Sequence, residues 1–403
     1  MDTNTGCTIL LNALKGFHGN IKIIYGQAAL RLDDDTYLNT GSNKLFSAIT
    51  EEDIEVCDIN SGDLGVIFRK RTDVEAFVFG CSPDMVAASN AEEDMPVALE
   101  DLAQLVGYSV AVIDSINPDR ILQGLKNNGL CFVKGIGAIS VASSMKEAVA
   151  KINILEKSCE AFNYGKKLGG VVSLDRTVAQ NIRDHYSSKY MYINDESHVD
   201  YVGFDEELFG VRSNLIDYGK NLVKESLVYG SGGNISLRLN DEDMLITPSS
   251  MDYFDIGIED IVQLSIDALE HGKQRVPSSD AGLHAMMYKS LPGCNAIIHT
   301  HSNACSTFAA CEAGFAMTDP KLQQIIGDVK VVPYIPDNKD EFNNKLLDTL
   351  NTTHAAILSH HGTIFYGPSL EVVFEIAKSV ELMARNLLNF NAPAEEEVDN
   401  EEK

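Results

Sequence analysis

The sequence predicts an α/β protein made of two tandem domains, and three observations carry that prediction. The chain has 403 residues, 44% apolar and 23% charged, enough for two full hydrophobic cores. Short apolar runs that read as strands alternate with longer stretches of helical period. Blocks from the first half also recur, in the same order, in the second.

The recurrence starts with Gly19-Asn20-Ile21-Lys22, then Leu38-Asn39-Thr40-Gly41-Ser42 and Ile49-Thr50-Glu51-Glu52-Asp53-Ile54. These match Gly233-Asn234-Ile235-Ser236, Leu245-Ile246-Thr247-Pro248-Ser249-Ser250 and Ile258-Glu259-Asp260-Ile261. Next, the segment Val74 to Ser82 matches Cys294 to Ser302. Last, Leu125-Lys126-Asn127-Asn128-Gly129 matches Leu358-Ser359-His360-His361-Gly362, each leading to a strand and then to helices from Ser144 and Ser369. Leu64-Gly65-Val66-Ile67-Phe68 runs almost straight into the first-half strand, so no counterpart of Pro277-Ser278-Ser279-Asp280 and its helix is expected there. In the second half, Leu215 to Tyr229 and Leu370 to Leu388 have helical spacing. Leu245-Ile246, Ala296-Ile297-Ile298, Val329 to Val332 and Thr363-Ile364-Phe365 read as strands, giving a sheet with helices on both faces. Residues 1–190 form the first domain, the polar stretch from Tyr186 to Gly203 is the linker, and 205–390 form the second. Residues 391–403, with six acids and one base, read as a disordered acidic tail.

A formal net charge of −27 and the lack of any Lys/Arg-rich stretch exclude a nucleic-acid groove. An anionic ligand would depend on local donors such as glycine-loop amides and helix N-termini. No apolar run is long enough for a membrane span, and Met1-Asp2-Thr3-Asn4 lacks the basic region of a secretory signal, so the expected location is the cytoplasm. The eight cysteines show no CxxC spacing and are expected as buried thiols.

The candidate chemistry begins at His299-Thr300-His301, directly after an apolar strand. An i, i+2 pair on a strand points both imidazoles the same way, which suits a divalent metal, although two satisfied histidines at a strand end would read alike. A third donor is available at His360-His361-Gly362. In the overlay Phe79, Cys81 and Asn128 stand where His299, His301 and His361 stand, so the first copy is degenerate and without metal ligands. Asp280 reads either as a helix-start carboxylate or as a functional one. His284, one turn later, reads as packing, and His354 as surface.

Taken as a set, Gly233-Asn234-Ile235-Ser236, Ile246-Thr247-Pro248-Ser249, Pro277-Ser278-Ser279-Asp280, His299-Thr300-His301-Ser302 and His361-Gly362 resemble the class II aldolase and adducin family. The resemblance covers about 205–390, with a degraded version in the first half. It implies two tandem α/β/α layered domains, and a metal-dependent aldehyde-lyase acting on a sugar or sugar phosphate by retro-aldol cleavage through a metal-bound enediolate. A sugar-phosphate 4-epimerase using the same chemistry, or a non-catalytic adducin-like or sugar-sensing protein, stands as the alternative. It also implies Zn2+, or another divalent ion such as Mn2+ or Co2+, on His299, His301 and His361. His361 is preferred to His360, which is left to a supporting or exposed role. Asp280 falls at the catalytic carboxylate, where aldolases usually carry Glu and the epimerases Asp. Asn234, Ser249, Ser278 and Ser279 fall at the phosphate-binding positions, and Ser250 departs from the family's glycine. Family proton donors come from a segment after the HxH strand of a neighbouring subunit and from a C-terminal Tyr. Asp319 alone is offered by the first of these, and no Tyr lies beyond Phe390. Family members are homo-oligomeric rings, so two tandem chains could form a pseudo-tetramer in which the first copy supplies missing groups. Glu100 and Asp101 are candidates for that role, against the plainer reading of a solvated helix start.

Overall fold

The computed structural model describes residues 1–15, 25–41, 44–90, 95–126, 128–190, 206–229, 232–272 and 274–390. Its two halves each build a seven-stranded sheet. In the first, the strands are β1 (Tyr25–Arg31), β2 (Thr36–Asn39), β3 (Glu55–Asp58), β4 (Ala76–Cys81), β5 (Val112–Ile113), β6 (Leu130–Val133) and β7 (Gly137–Ala142), in spatial order β3-β2-β1-β4-β7-β6-β5. In the second they are β8 (Asn234–Arg238), β9 (Asp243–Ile246), β10 (Val262–Ser265), β11 (Ala296–Thr300), β12 (Lys330–Val332), β13 (Ala355–Leu358) and β14 (Gly362–Gly367), in the matching order β10-β9-β8-β11-β14-β13-β12. Neighbours are antiparallel except the edge pairs β5–β6 and β12–β13, which are parallel.

Helices follow the same repeat. The first half carries α1 (Thr3–Leu14), α2 (Gly62–Lys70), α3 (Pro83–Ser89), α4 (Glu100–Val106), α5 (Pro118–Leu125), α6 (Met145–Tyr164) and α7 (Arg176–Tyr190). The second carries α8 (Phe209–Lys224), α9 (Ala281–Ser290), α10 (Asn303–Ala310), α11 (Pro320–Ile326), α12 (Lys339–Leu350) and α13 (Leu370–Leu388). The long helices α6 and α13 start alike, Ser144 and Ser369 accepting from the backbone of Glu147 and Val372. On α13, Leu370, Val373, Phe374, Ala377, Val380, Ala384 and Leu388 repeat every three or four residues and bury one face against the sheet. The other face of each sheet has its own apolar cluster, so both sheets are covered on two sides. The expected α/β/α repeat is the observed fold.

Strand register corrects the alignment of the two copies. Asn234 pairs with His299 and Gln27 pairs with Phe79, so Gln27, not Asn20, is the counterpart of Asn234. Ile235 and Ala28, one residue on, both donate their amide to a threonine hydroxyl, Thr247 and Thr40. Leu358 pairs with Gly362 and Val133 with Gly137, so the turn holding His361 matches Lys134-Gly135-Ile136-Gly137. The first-copy counterpart of His361 is Ile136, and Asn128 belongs one strand earlier. Gly135 (φ 69°) and His360 (φ 63°) share the left-handed backbone that closes this turn.

Four further expectations shift. Leu64 to Phe68 lie within helix α2, so the first copy does have a helix before β4. Helix α8 stops at Lys224, short of Tyr229, where Ser226 turns with φ 57°. Tyr186 to Ser188 belong to α7 rather than to a linker. Lys189 and Tyr190 continue that helix, while linker residues 191–203, the acidic tail, Gly19-Asn20-Ile21-Lys22 and Ser42 lie outside the described residues. Cys131, Cys159, Cys294, Cys305 and Cys311 are buried thiols as expected, whereas Cys7, Cys57 and Cys81 are half-buried, and all eight are free. Among the described residues no helix is long and apolar enough to cross a membrane.

Candidate metal centre between the two copies

His299 is the fourth residue of β11, flanked by β8 and β14, and is fully buried by the sheet's two layers. His301 follows just beyond the strand end on the same side, and His361 comes from the turn between β13 and β14. The three rings stand 4.8 to 4.9 Å apart by centroid, with His299 and His361 stacked at 8°. Gly362 makes this approach possible, since a Cβ there would lie 2.3 Å from the Thr300 carbonyl oxygen and within 3.1 Å of His299. Gly233 does the same on the β8 side, at φ 70° and 2.4 Å from the His299 carbonyl oxygen. That is close approach between strands, and helix α8 has already ended well before it.

The tautomers follow from the partners. His299 Nδ1 donates to the Thr363 carbonyl at 3.1 Å, so its Nε2 carries a lone pair, and that Nε2 faces His301 Nε2 at 2.9 Å. His361 Nδ1 meets Glu100 at 2.5 Å and His301 Nδ1 lies 3.9 Å from Asp101. One nitrogen from each histidine lies within 4.8 Å of the others. Lone pairs converging in a buried site repel one another unless a cation sits among them, and this donor set fits a divalent ion such as zinc. Burial depresses the basicity of His299 and His301, whereas His361 is raised to about 9 because Glu100 outweighs the same burial.

Asp280 stands at the first turn of α9 but does not cap it with its side chain. Asn234 Nδ2 instead donates to Asp280 Oδ2 at 2.7 Å, and Ser278 Oγ accepts from the Asp280 amide at 3.3 Å. Burial pushes the Asp280 carboxyl up, and the charges of His299, His361 and His284 with the Asn234 bond outweigh it, down to about 2. The carboxylate is ionised at neutral pH. Asn234 thus spends one amide hydrogen on Asp280, while its side chain lines the same cavity as the three histidines.

Ser249, Ser250, Ser278, Ser279 and Asp280 line one cavity with the three histidines, of about 310 Å³, the size of a small sugar site. Ser250 holds the left-handed backbone (φ 62°) that glycine would take freely, a strain of about 1–2 kcal/mol, and its hydroxyl lies 3.2 Å from that of Ser249. His284 is core packing as expected, its Nδ1 against Ser236 Oγ at 2.7 Å, and burial lowers it to about 4. His354 is half-buried, not surface, its Nδ1 donating to the Tyr366 carbonyl at 3.2 Å.

The first copy also contributes to the lining of this cavity, through Asp101, Gln104, Asn153, Lys157 and Tyr186. Glu100 and Asp101 are not a solvated helix start. Glu100 bridges His361 and the Tyr334 hydroxyl, at 2.7 Å, and Asp101 is buried in an ion pair with Lys157. Around them Asn303 donates to Glu160, the Val172 amide to the Ala310 carbonyl at 2.8 Å, and Ala98, Leu99, Ala161 and Ala310 form an apolar joint. His360 is buried in that joint, its Nδ1 donating to the Ala98 carbonyl at 2.9 Å. Asp319 lies elsewhere, exposed, accepting from the amides of Lys321 and Leu322.

Two α/β repeats, of which one presents converging imidazoles and the other helps to line their cavity, define a tandem protein with a candidate metal centre at the joint. The chain belongs to the family described as Class II Aldolase and Adducin N-terminal domain, whose profile matches residues 11–162 and 213–388. It is 27% identical over 179 residues to a 5-deoxy-D-ribulose 1-phosphate aldolase of Bacillus thuringiensis serovar kurstaki, covering 43% of this chain and 82% of that protein. It is 29% identical over 175 residues to an L-fuculose phosphate aldolase of Haemophilus influenzae, covering 42% of this chain and 78% of that protein. A solved structure of L-fuculose 1-phosphate aldolase aligns at 30% identity with TM-score 0.42, covering 46% of this chain and 89% of that one.

Proposed function

We propose that the second copy is a divalent-metal-dependent aldehyde-lyase that cleaves a ketose phosphate by retro-aldol chemistry. The observation that carries the reading is the convergence of His299, His301 and His361 beside the ionised carboxylate of Asp280. Relatives named as sugar-phosphate aldolases support the substrate class. A bound ion would supply Lewis-acid stabilisation of the charge that develops on the substrate carbonyl oxygen. Asp280 accepts or holds the proton of the reacting hydroxyl, and Asn234 keeps its carboxylate aimed. Ser249, Ser278 and Ser279, with neighbouring backbone amides, hold the phosphate. Tyr186 and Tyr229 are the phenols on the cavity wall among the described residues, and under this reading they protonate the leaving fragment. Neither stands out in the sequence, because no local motif marks a tyrosine that only tertiary packing brings to the cavity.

Asp280, where aldolases usually carry Glu, favours 4-epimerisation as the second reading, and the retained histidines weigh against a non-catalytic adducin-like role. Incubating the zinc-loaded protein with a panel of ketose 1-phosphates and following aldehyde release separates these. Release is expected. Stereochemical inversion without release would favour the epimerase, and neither process on any ketose phosphate would defeat both.

We further infer two functional units, 1–190 and 205–390, with the first completing the site of the second. The same joint can recur between chains, because α13 repeats α6 and leaves Leu382 and Leu387 exposed. Light scattering is expected to give a two-chain assembly, and a monomer of full activity would exclude it.

A further inference from the structure

We propose that the first copy, though without ligands of its own, sets the metal affinity of the second by holding two of its histidines through Glu100 and Asp101; this rests on reading those histidines as metal ligands. An imidazole ligand is useful only if its distal nitrogen is fixed, because that contact selects the tautomer and aims the ring. His299 obtains its contact from its own copy, from the Thr363 carbonyl. His361 and His301 obtain theirs from the first turn of α4 in the other copy.

The carboxylate of Glu100 is held on every side. One oxygen meets His361 Nδ1, the other accepts from the Tyr334 hydroxyl, and the Glu100 amide donates to the His360 carbonyl at 2.8 Å. The Tyr334 ring stands edge-on to His360, 5.2 Å away. Asp101 accepts from the Leu102 amide at 2.8 Å and pairs with Lys157 while lying beside His301. Every oxygen of the two acids already has a protein partner, and both acids reach the centre through a histidine, so both act as positioning residues. The arrangement runs one way only. The start of α11, where Asp319 caps its own helix, is exposed, and the ligand positions of the first copy hold Phe79, Cys81 and Ile136.

The test uses full-length protein and zinc alone, with the Kd read by competition against a chromophoric chelator and apo-protein melting as the fold control. Glu100→Gln and Asp101→Asn are each expected to weaken zinc by about 10- to 100-fold with little change in apo melting. Tyr334→Phe, which strips one bond from the far oxygen of Glu100, is expected to weaken it by only a few-fold. Cobalt substitution should show an altered ligand-field spectrum in Glu100→Gln, a change that mere loosening of the fold would not produce. Wild-type affinity in both acid variants overturns the inference and leaves the metal reading standing. A wild-type protein that takes up no stoichiometric zinc overturns the metal reading itself. If one acid variant loses its cooperative melt, the other and Tyr334→Phe decide by the same criterion.

Discussion

His299→Ala is expected to lose stoichiometric zinc and to lower kcat/KM by at least about 1,000-fold, the loss expected when the charge stabiliser of a reaction goes missing. His299 is the deepest of the three histidines, 1% exposed and hydrogen-bonded through Nδ1 within its own sheet. Alanine removes a ring packed against His301 and His361 and enlarges the cavity that this ring lines. The fold should survive, because the neighbouring strands keep their ladder bonds to β11. Metal analysis after dialysis, alongside circular dichroism, checks both halves of the expectation. Unchanged zinc content would remove His299 from the ligand set, and an unfolded variant would move the test to His361→Ala, whose turn is less buried.

The sequence made the centre of this site readable because strand geometry is local. Two histidines two residues apart after an apolar run must share a face, and a histidine before glycine marks a turn tight enough to meet them. What it misplaced were features whose identity depends on pairing. Asn127-Asn128-Gly129 looks like His360-His361-Gly362, yet the turn that matters is Lys134-Gly135-Ile136-Gly137, and only the β6–β7 register separates them. Leu64 to Phe68 is a short apolar run that period cannot assign, and Ser61 and Gly62 before it begin a helix. Glu100 and Asp101 were the hardest to read. Acids at a helix start satisfy the helix dipole in solution, and nothing in the local pattern says that another domain will bury them against two histidines. Their role follows from tertiary packing, as does the bond from Asn234 to Asp280.

Asp280→Asn is expected to lower kcat by about 100- to 10,000-fold while zinc content stays close to wild type. The carboxylate sits where its burial is offset by His299, His361 and the Asn234 amide, which together hold it ionised down to about pH 2. An amide of the same shape can keep its place in the first turn of α9 but cannot take a proton at neutral pH. The three histidines remain, each with its distal contact intact, so metal uptake does not depend on this side chain. Substitution should therefore separate chemistry from binding: KM for the ketose phosphate changes by only a few-fold, and the loss appears in kcat. Loss of zinc together with activity would make Asp280 a fourth ligand instead. Retention of both would return it to the helix-start role that its sequence position alone allows. Asn234→Ala, which leaves the carboxylate but removes the amide that aims it, should fall between wild type and Asp280→Asn in kcat, because the base is then present but free to rotate.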